Sequence, residues 1–149
     1  MQKRVLNLTK KELSGASAET QSLIDYKVHV FNEGDPIILV CKDREKGLLP
    51  RKSYYDTGWN LVDLREGDSE PFDCPRPLHL GEMLHRSFEL ARGFQFVRVD
   101  WYEAGGRLWF GEMTFTPASG AKRFIPPEWN EEFGRRVNLG LGYTEGSIG

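Results

Sequence analysis

The chain has 149 residues and a net charge of −2, with 28% charged and 12% aromatic residues. A chain of that length can bury roughly 70% of the surface it exposes when unfolded, enough for one domain with a real core. Its composition is that of a folded globular protein; no basic field argues for DNA or RNA, and the longest apolar runs, such as Ile37 to Cys41, fall far short of the roughly 20 residues that cross a bilayer.

The N-terminus, MQKRVLNLTKKEL, carries positive charge but lacks the apolar stretch of about 7 to 15 residues that a secretory signal needs, so the expected location is the cytoplasm. Cys41 and Cys74 lie in different segments and form no CxxC pair, which points to reduced thiols rather than a disulfide framework or a zinc site. Residues 1–24 form a poorly defined N-terminal segment: an apolar patch at Val5, Leu6 and Leu8, then a polar stretch compatible with a short helix ending near Leu23.

From Asp25 the pattern changes. DYKVHVFNEGDPIILVCKDR reads as strands at 26–31 and 36–42 joined by a turn in which Gly34 takes positive φ. Residues 46–56 carry glycine, proline and basic residues and read as a loop, and 59–64 alternate as a third strand. The prolines between Glu66 and Pro77 exclude a ladder or helix interior, so that stretch is a connector. Leu80, Met83, Leu84, Phe88 and Ala91 recur at helical spacing, predicting an amphipathic helix over 78–92 that stops at Gly93.

Two apolar strands follow, near 94–102 and 107–115, around Gly105 and Gly106. Residues 117–122 read as irregular. Pro126, Pro127 and Glu128 then open a last helix with Trp129, Phe133 and Val137 on one face. The glycine-rich residues 140–149 read as a loose tail. The expected fold class is α+β: an antiparallel β-sheet with helices on one face.

The central hairpin carries the chemistry. Alternation puts Arg98 and Asp100 on one face of the first strand, and Phe110, Glu112 and Thr114 on one face of the second. Opposed residues of an antiparallel pair have a constant sum of numbers, and Asp100 and Glu112 share a face only if that sum is even. An odd loop or a glycine bulge at Gly105–Gly106 meets the condition; a tight two-residue turn alone puts the acids on opposite faces. Converging carboxylates repel unless a cation lies between them, and hard oxygen ligands favour Mg²⁺ or Mn²⁺ over zinc. The plainer alternative is a solvated Arg98–Asp100 pair on an edge hairpin with Glu112 facing water. His29, His79 and His85 form no nucleophilic triad and read as structural or exposed, and the four tryptophans read as packing.

The stretch FVRVDWYEAGGRLWFGEMTFTPASG resembles the C-terminal metal-binding segment of ATP-grasp enzymes, where an Arg-x-Asp strand is followed a short way on by Glu-x-Asn and a proline-containing loop. It is most similar to the TupA-like branch, associated with teichuronopeptide and cell-surface polysaccharide biosynthesis. DYKVHVFN, the Asp43–Arg44 pair, YYDTGWN and PPEWNEEFG also resemble that branch, so the likeness covers about 25–139 and implies an ATP-grasp C-terminal lobe there. By resemblance, Asp100 and Glu112 are magnesium ligands bridging the phosphates of ATP, and Arg98 is the catalytic residue steadying the transferred phosphoryl or the acyl phosphate. Lys27 and Arg44 lie near the nucleotide, and Thr114 stands where the wider superfamily has asparagine.

The implied activity is an ATP- and Mg²⁺-dependent carboxylate–amine ligase acting on cell-envelope precursors. No Walker-type GxxxxGK[ST] and no glycine-rich lid segment precede the resemblance, so a truncated or split C-terminal half is expected, completed by a missing lobe or by a homo-oligomer. The alternative is a non-catalytic remnant that binds a protein or a glycan.

Overall fold

The computed structural model describes residues 3–4, 23–42, 50–67, 69–115 and 124–137. The elements in chain order are β1 (Lys3–Arg4), β2 (Asp25–Phe31), β3 (Ile37–Lys42), β4 (Arg51–Tyr55), β5 (Arg65–Glu66), α1 (Leu80–Ala91), β6 (Phe96–Ala104), β7 (Arg107–Thr114), β8 (Phe124–Ile125) and α2 (Glu128–Arg135). Six strands form one antiparallel sheet in the order β1-β7-β6-β2-β3-β4, and β5 pairs with β8 in a second, two-stranded sheet. The α+β class and the antiparallel sheet are those the sequence predicts.

β2 lies at the middle of the sheet and is buried along its whole length. Its alternation feeds two cores, one on each face. Tyr26, Val28 and Val30 pack with Val97, Val99 and Trp101 of β6 and with Leu80, Met83 and Ala91 of α1. On the other face, Phe31, Ile37, Leu39, Tyr54 and Phe96 pack with Phe124 of β8 and Phe133 of α2. Thus α1 covers one face, while α2 belongs with the small sheet over the other. Glu33 N–H donates to the Arg136 carbonyl (3.1 Å) and Arg136 Nη1 donates to the Asp35 carbonyl (2.7 Å), pinning the end of α2 to the β2–β3 turn.

Three expectations change. The third strand is Arg51–Tyr55, not 59–64: Arg51, Ser53 and Tyr55 alternate with Lys52 and Tyr54 in register with β3, an alternation hidden by the basic and glycine residues before it. The segment expected to be a strand instead turns back at Asp56, whose carboxylate accepts from the backbone N–H of Gly58 (2.9 Å) and of Asn60 (2.8 Å). Trp59, at φ 63°, stacks on Tyr55 at 4.3 Å and donates Nε1–H to the Cys74 carbonyl. On α1, Phe88 is 49% exposed and Ser87 is buried in its stead, accepting a hydrogen bond from Trp101 Nε1 at 2.9 Å. The third change concerns the hairpin and is taken up below. The short helix expected before Leu23, the irregular stretch 117–122 and the tail 140–149 lie outside the described residues. Cys41 and Cys74 are free, buried thiols.

Candidate functional site

The β6–β7 turn is the tight two-residue one. Ala104 pairs with Arg107, and Gly105 and Gly106 both take positive φ, 59° and 71°, as a hairpin turn matching the twist of its strands requires. From the turn to the Trp101–Phe110 pair the register sum is odd, which by itself sends Asp100 and Glu112 to opposite faces. The register shifts between Asp100 and Trp101: Asp100 lies opposite Glu112, Val99 opposite Met113 and Arg98 opposite Thr114. The extra residue is Gly111. A Cβ built there would lie 2.7 Å from Tyr102 Cε2 and 3.1 Å from the Asp100 carbonyl oxygen, so the bulge admits glycine for lack of room rather than for its φ.

The bulge therefore sits within β7, not at the turn where the sequence placed it. Phe110 consequently joins Met113 against the α1 core rather than sharing a face with Glu112, while Glu112, Thr114, Arg98 and Asp100 do share one.

The neighbouring strand completes the constellation. Lys27 lies opposite Asp100 and His29 opposite Arg98. Lys27 Nζ donates to Asp100 Oδ2 at 2.6 Å and lies 3.0 Å from Asp25 Oδ2. Arg98 grips the same carboxylate in a fork, Nε to Oδ1 at 2.8 Å and Nη2 to Oδ2 at 3.1 Å. Both oxygens of Asp100 are thus held by cations, and the residue is only 2% exposed.

Burial pushes the Arg98 guanidinium down, but Asp100 beside it, then Glu112 and Asp25, more than reverse this and hold it above its usual value. His29 is structural: its Nδ1 lies 3.1 Å from the Lys27 carbonyl and its ring packs between Tyr54, Phe96 and Phe133. The plainer reading of Asp100 as a solvated surface acid does not hold.

The hard-oxygen set on this face includes, besides Asp25, the carboxylates of Asp100 and Glu112 and the hydroxyl of Thr114. That hydroxyl is buried and has no hydrogen-bond partner among the described residues. An orphaned buried oxygen beside two opposed acids fits a divalent cation of the magnesium type, for which oxygen donors suffice. Among the described residues no group of three or more His, Cys, Asp or Glu side chains gathers at metal-binding distance, so any such site would rest on two carboxylates with a hydroxyl, water or a ligand's oxygens.

Of the residues singled out in the sequence, Lys27, Arg98, Asp100, Glu112 and Thr114 share one face of three adjacent strands, and Arg44 lies outside the described residues. Asp25 and Gly111 escaped the sequence reading. Asp25-x-Lys27 has the same i, i+2 spacing as Arg98-x-Asp100, and a lone glycine inside a strand pattern is a bulge signal.

The antiparallel sheet thus carries Arg-x-Asp and Glu-x-Thr on adjacent strands with the acids opposed, and Thr114 stands where the resemblance leads to an asparagine. Residues 7–138 match the family model described as TupA-like ATPgrasp, and the protein belongs to that family. No curated protein and no solved structure matches the chain. Among the described residues no helix is long and apolar enough to cross a membrane.

Proposed function

We propose that the protein works as an ATP-grasp carboxylate–amine ligase on cell-envelope polysaccharide precursors in the cytoplasm. The observation that carries this reading is the register of the central hairpin, which sets Asp100 directly opposite Glu112 with Arg98 and Thr114 on the same face. In such a ligase a carboxylate oxygen attacks the γ-phosphorus of ATP and ADP leaves. An amine nitrogen then attacks the resulting acyl phosphate, and inorganic phosphate departs as the amide forms and the amine gives up its proton.

Asp100 and Glu112 would hold Mg²⁺ or Mn²⁺, with the Thr114 hydroxyl as a further oxygen donor. A metal bound there supplies neutralising charge to the phosphate oxygens. Arg98, fixed in its fork by Asp100 and protonated at any working pH, would present its remaining N–H donors to the phosphoryl group. Lys27 would offer a second cation to the phosphates. No nucleophilic side chain is required, because phosphoryl transfer is catalysed by positioning and charge neutralisation. The assignment of Arg44 to the nucleotide rests on family resemblance alone. A lobe clasping adenine is not among the described residues.

One observation favours a second reading: both Asp100 oxygens are engaged by Lys27 and Arg98, a self-satisfied network that would serve equally in a non-catalytic module binding a protein or a glycan. Isothermal titration with Mg-ATP separates the two. The ligase reading expects binding that Asp100→Asn and Glu112→Gln each weaken by at least about tenfold. Binding unchanged in both variants, or absent from the native chain even with an added nucleotide-clasping lobe, favours the module.

A further inference from the structure

The acids of the site do not wait open for a cation. Three carboxylates, Asp25, Asp100 and Glu112, share one face with two cations, Lys27 and Arg98. The Lys27 ammonium bridges two of the three, and its side chain is only 10% exposed. A divalent ion reaching Asp100 competes with Lys27 and Arg98 at Oδ2 and with Arg98 at Oδ1, and lies beside both cations when it binds. In a buried cluster that repulsion is weakly screened. Arg98 is the harder to move, since its two parallel hydrogen bonds fix a planar fork, whereas Lys27 holds Asp100 by one contact from a flexible stem and has Asp25 beside it.

We propose that Lys27 is a positioning residue that withholds Asp100 from divalent cations until another anion takes up its ammonium. The inference deepens the ligase reading and rests on it in one respect: that reading makes the anion a polyphosphate, which carries its own metal and offers Lys27 a replacement partner. Metal and nucleotide then enter together, and a free cation is excluded by the chain's own charge. The Thr114 hydroxyl, buried and unpartnered among the described residues, marks the side on which the cation would settle.

The test follows Mn²⁺ by electron paramagnetic resonance on the full chain, with Mn²⁺ alone and with Mn²⁺ plus ATP. Lys27→Met is expected to bind Mn²⁺ alone at least about tenfold more tightly than the native chain. Lys27→Arg, which keeps a cation on Asp100, restores the native exclusion. Equal Mn²⁺ affinity of Lys27→Met and the native chain overturns the assignment of Lys27, whatever ATP does. Should Lys27→Met not fold, Lys27→Gln repeats the comparison. If Lys27→Met gains Mn²⁺ while ATP adds nothing to the native chain, the role of Lys27 stands and the ligase reading falls.

Discussion

Gly111 is the residue on which the geometry of the site turns. Any side chain there runs into the Tyr102 ring and the backbone of Asp100, and overpacking of this kind costs about 1 to 3 kcal/mol. Gly111→Ala is therefore expected to lower stability by that amount in urea denaturation and to weaken Mg-ATP binding. Gly106→Ala should leave binding intact and cost only the strain of its positive φ, since nothing lies within 4 Å of a Cβ there.

Thr114 makes the opposite prediction. Its buried hydroxyl lacks a partner among the described residues, so Thr114→Val, nearly isosteric, is expected to stabilise the fold by about 1 kcal/mol. If that oxygen is a ligand, the same variant binds Mg-ATP less well. A gain in melting temperature paired with a loss of affinity would be the signature of a group kept for function.

At the scale of elements, α1 and the turn after β4 carry the clearest expectations. Met83→Ala should cost about 2 to 5 kcal/mol, as deletion of a fully buried side chain does, whereas Phe88→Ala, on the exposed face, should stay within about 0.5 kcal/mol. Guanidinium melts of the two variants read the difference.

In the turn, burial would raise the Asp56 carboxyl, but the backbone and side-chain donors of Asn60 and the Gly58 N–H overcome it and hold the group below its ordinary value. A carboxylate whose pKa drops on folding stabilises above its unfolded pKa of about 3.9, and that contribution is lost as pH falls through the lower folded value. Asp56→Ala should be less stable than the native chain by about 1 kcal/mol at neutral pH. The gap should close below about pH 4, which thermal melts across pH would show.

These elements also show where the sequence was legible. Helix α1 and strands β2, β3, β6 and β7 could be read because their apolar residues recur with one clear period. β4 could not, since Arg51 and Lys52 look like loop residues until Lys52 is seen to ion-pair with Glu66 at 2.5 Å and Tyr54 to be hydrogen-bonded to the same carboxylate. Phe88 was placed in the core because hydrophobicity alone ranks it above Ser87. Only the hydrogen bond from Trp101 explains why the serine is inside. Of the site, the residue types were legible, and so was the condition under which the two acids share a face, but not whether or how the chain meets it. Parity demanded an odd loop or a bulge, and steric contact between Tyr102 and residue 111, invisible in one dimension, decides which.

For the whole molecule, the sheet's middle is the last part to open. β2 is buried on both faces and flanked by β3 and β6, while β4 lies at an edge. Native-state hydrogen exchange is expected to show the β2 and β6 amides exchanging only through global unfolding, and those on the outer side of β4 well before. The charged cluster is thereby built into the middle of the sheet, with Asp25, Lys27, Arg98 and Asp100 on β2 and β6 and only Glu112 and Thr114 on the next strand out. The two-sided packing, α1 on one face and α2 with the small sheet on the other, leaves the central strands little freedom to move.

The extra residue at 111 also divides the hairpin into two independent parts. Between the turn and the bulge, changing the loop by an even number of residues leaves the polarity beyond it untouched. Deleting Gly111 alone would leave a regular ladder in which Glu112 still lies opposite Asp100, whereas keeping Gly111 and losing the bulge would pair Asp100 with Gly111 and carry Glu112 and Thr114 to the α1 side and Met113 to the charged side. Once Gly111 is set aside, Phe110, Glu112, Met113 and Thr114 alternate strictly between the α1 face and the charged face, so the bulge is the device that lodges an inserted glycine without turning any of its neighbours over.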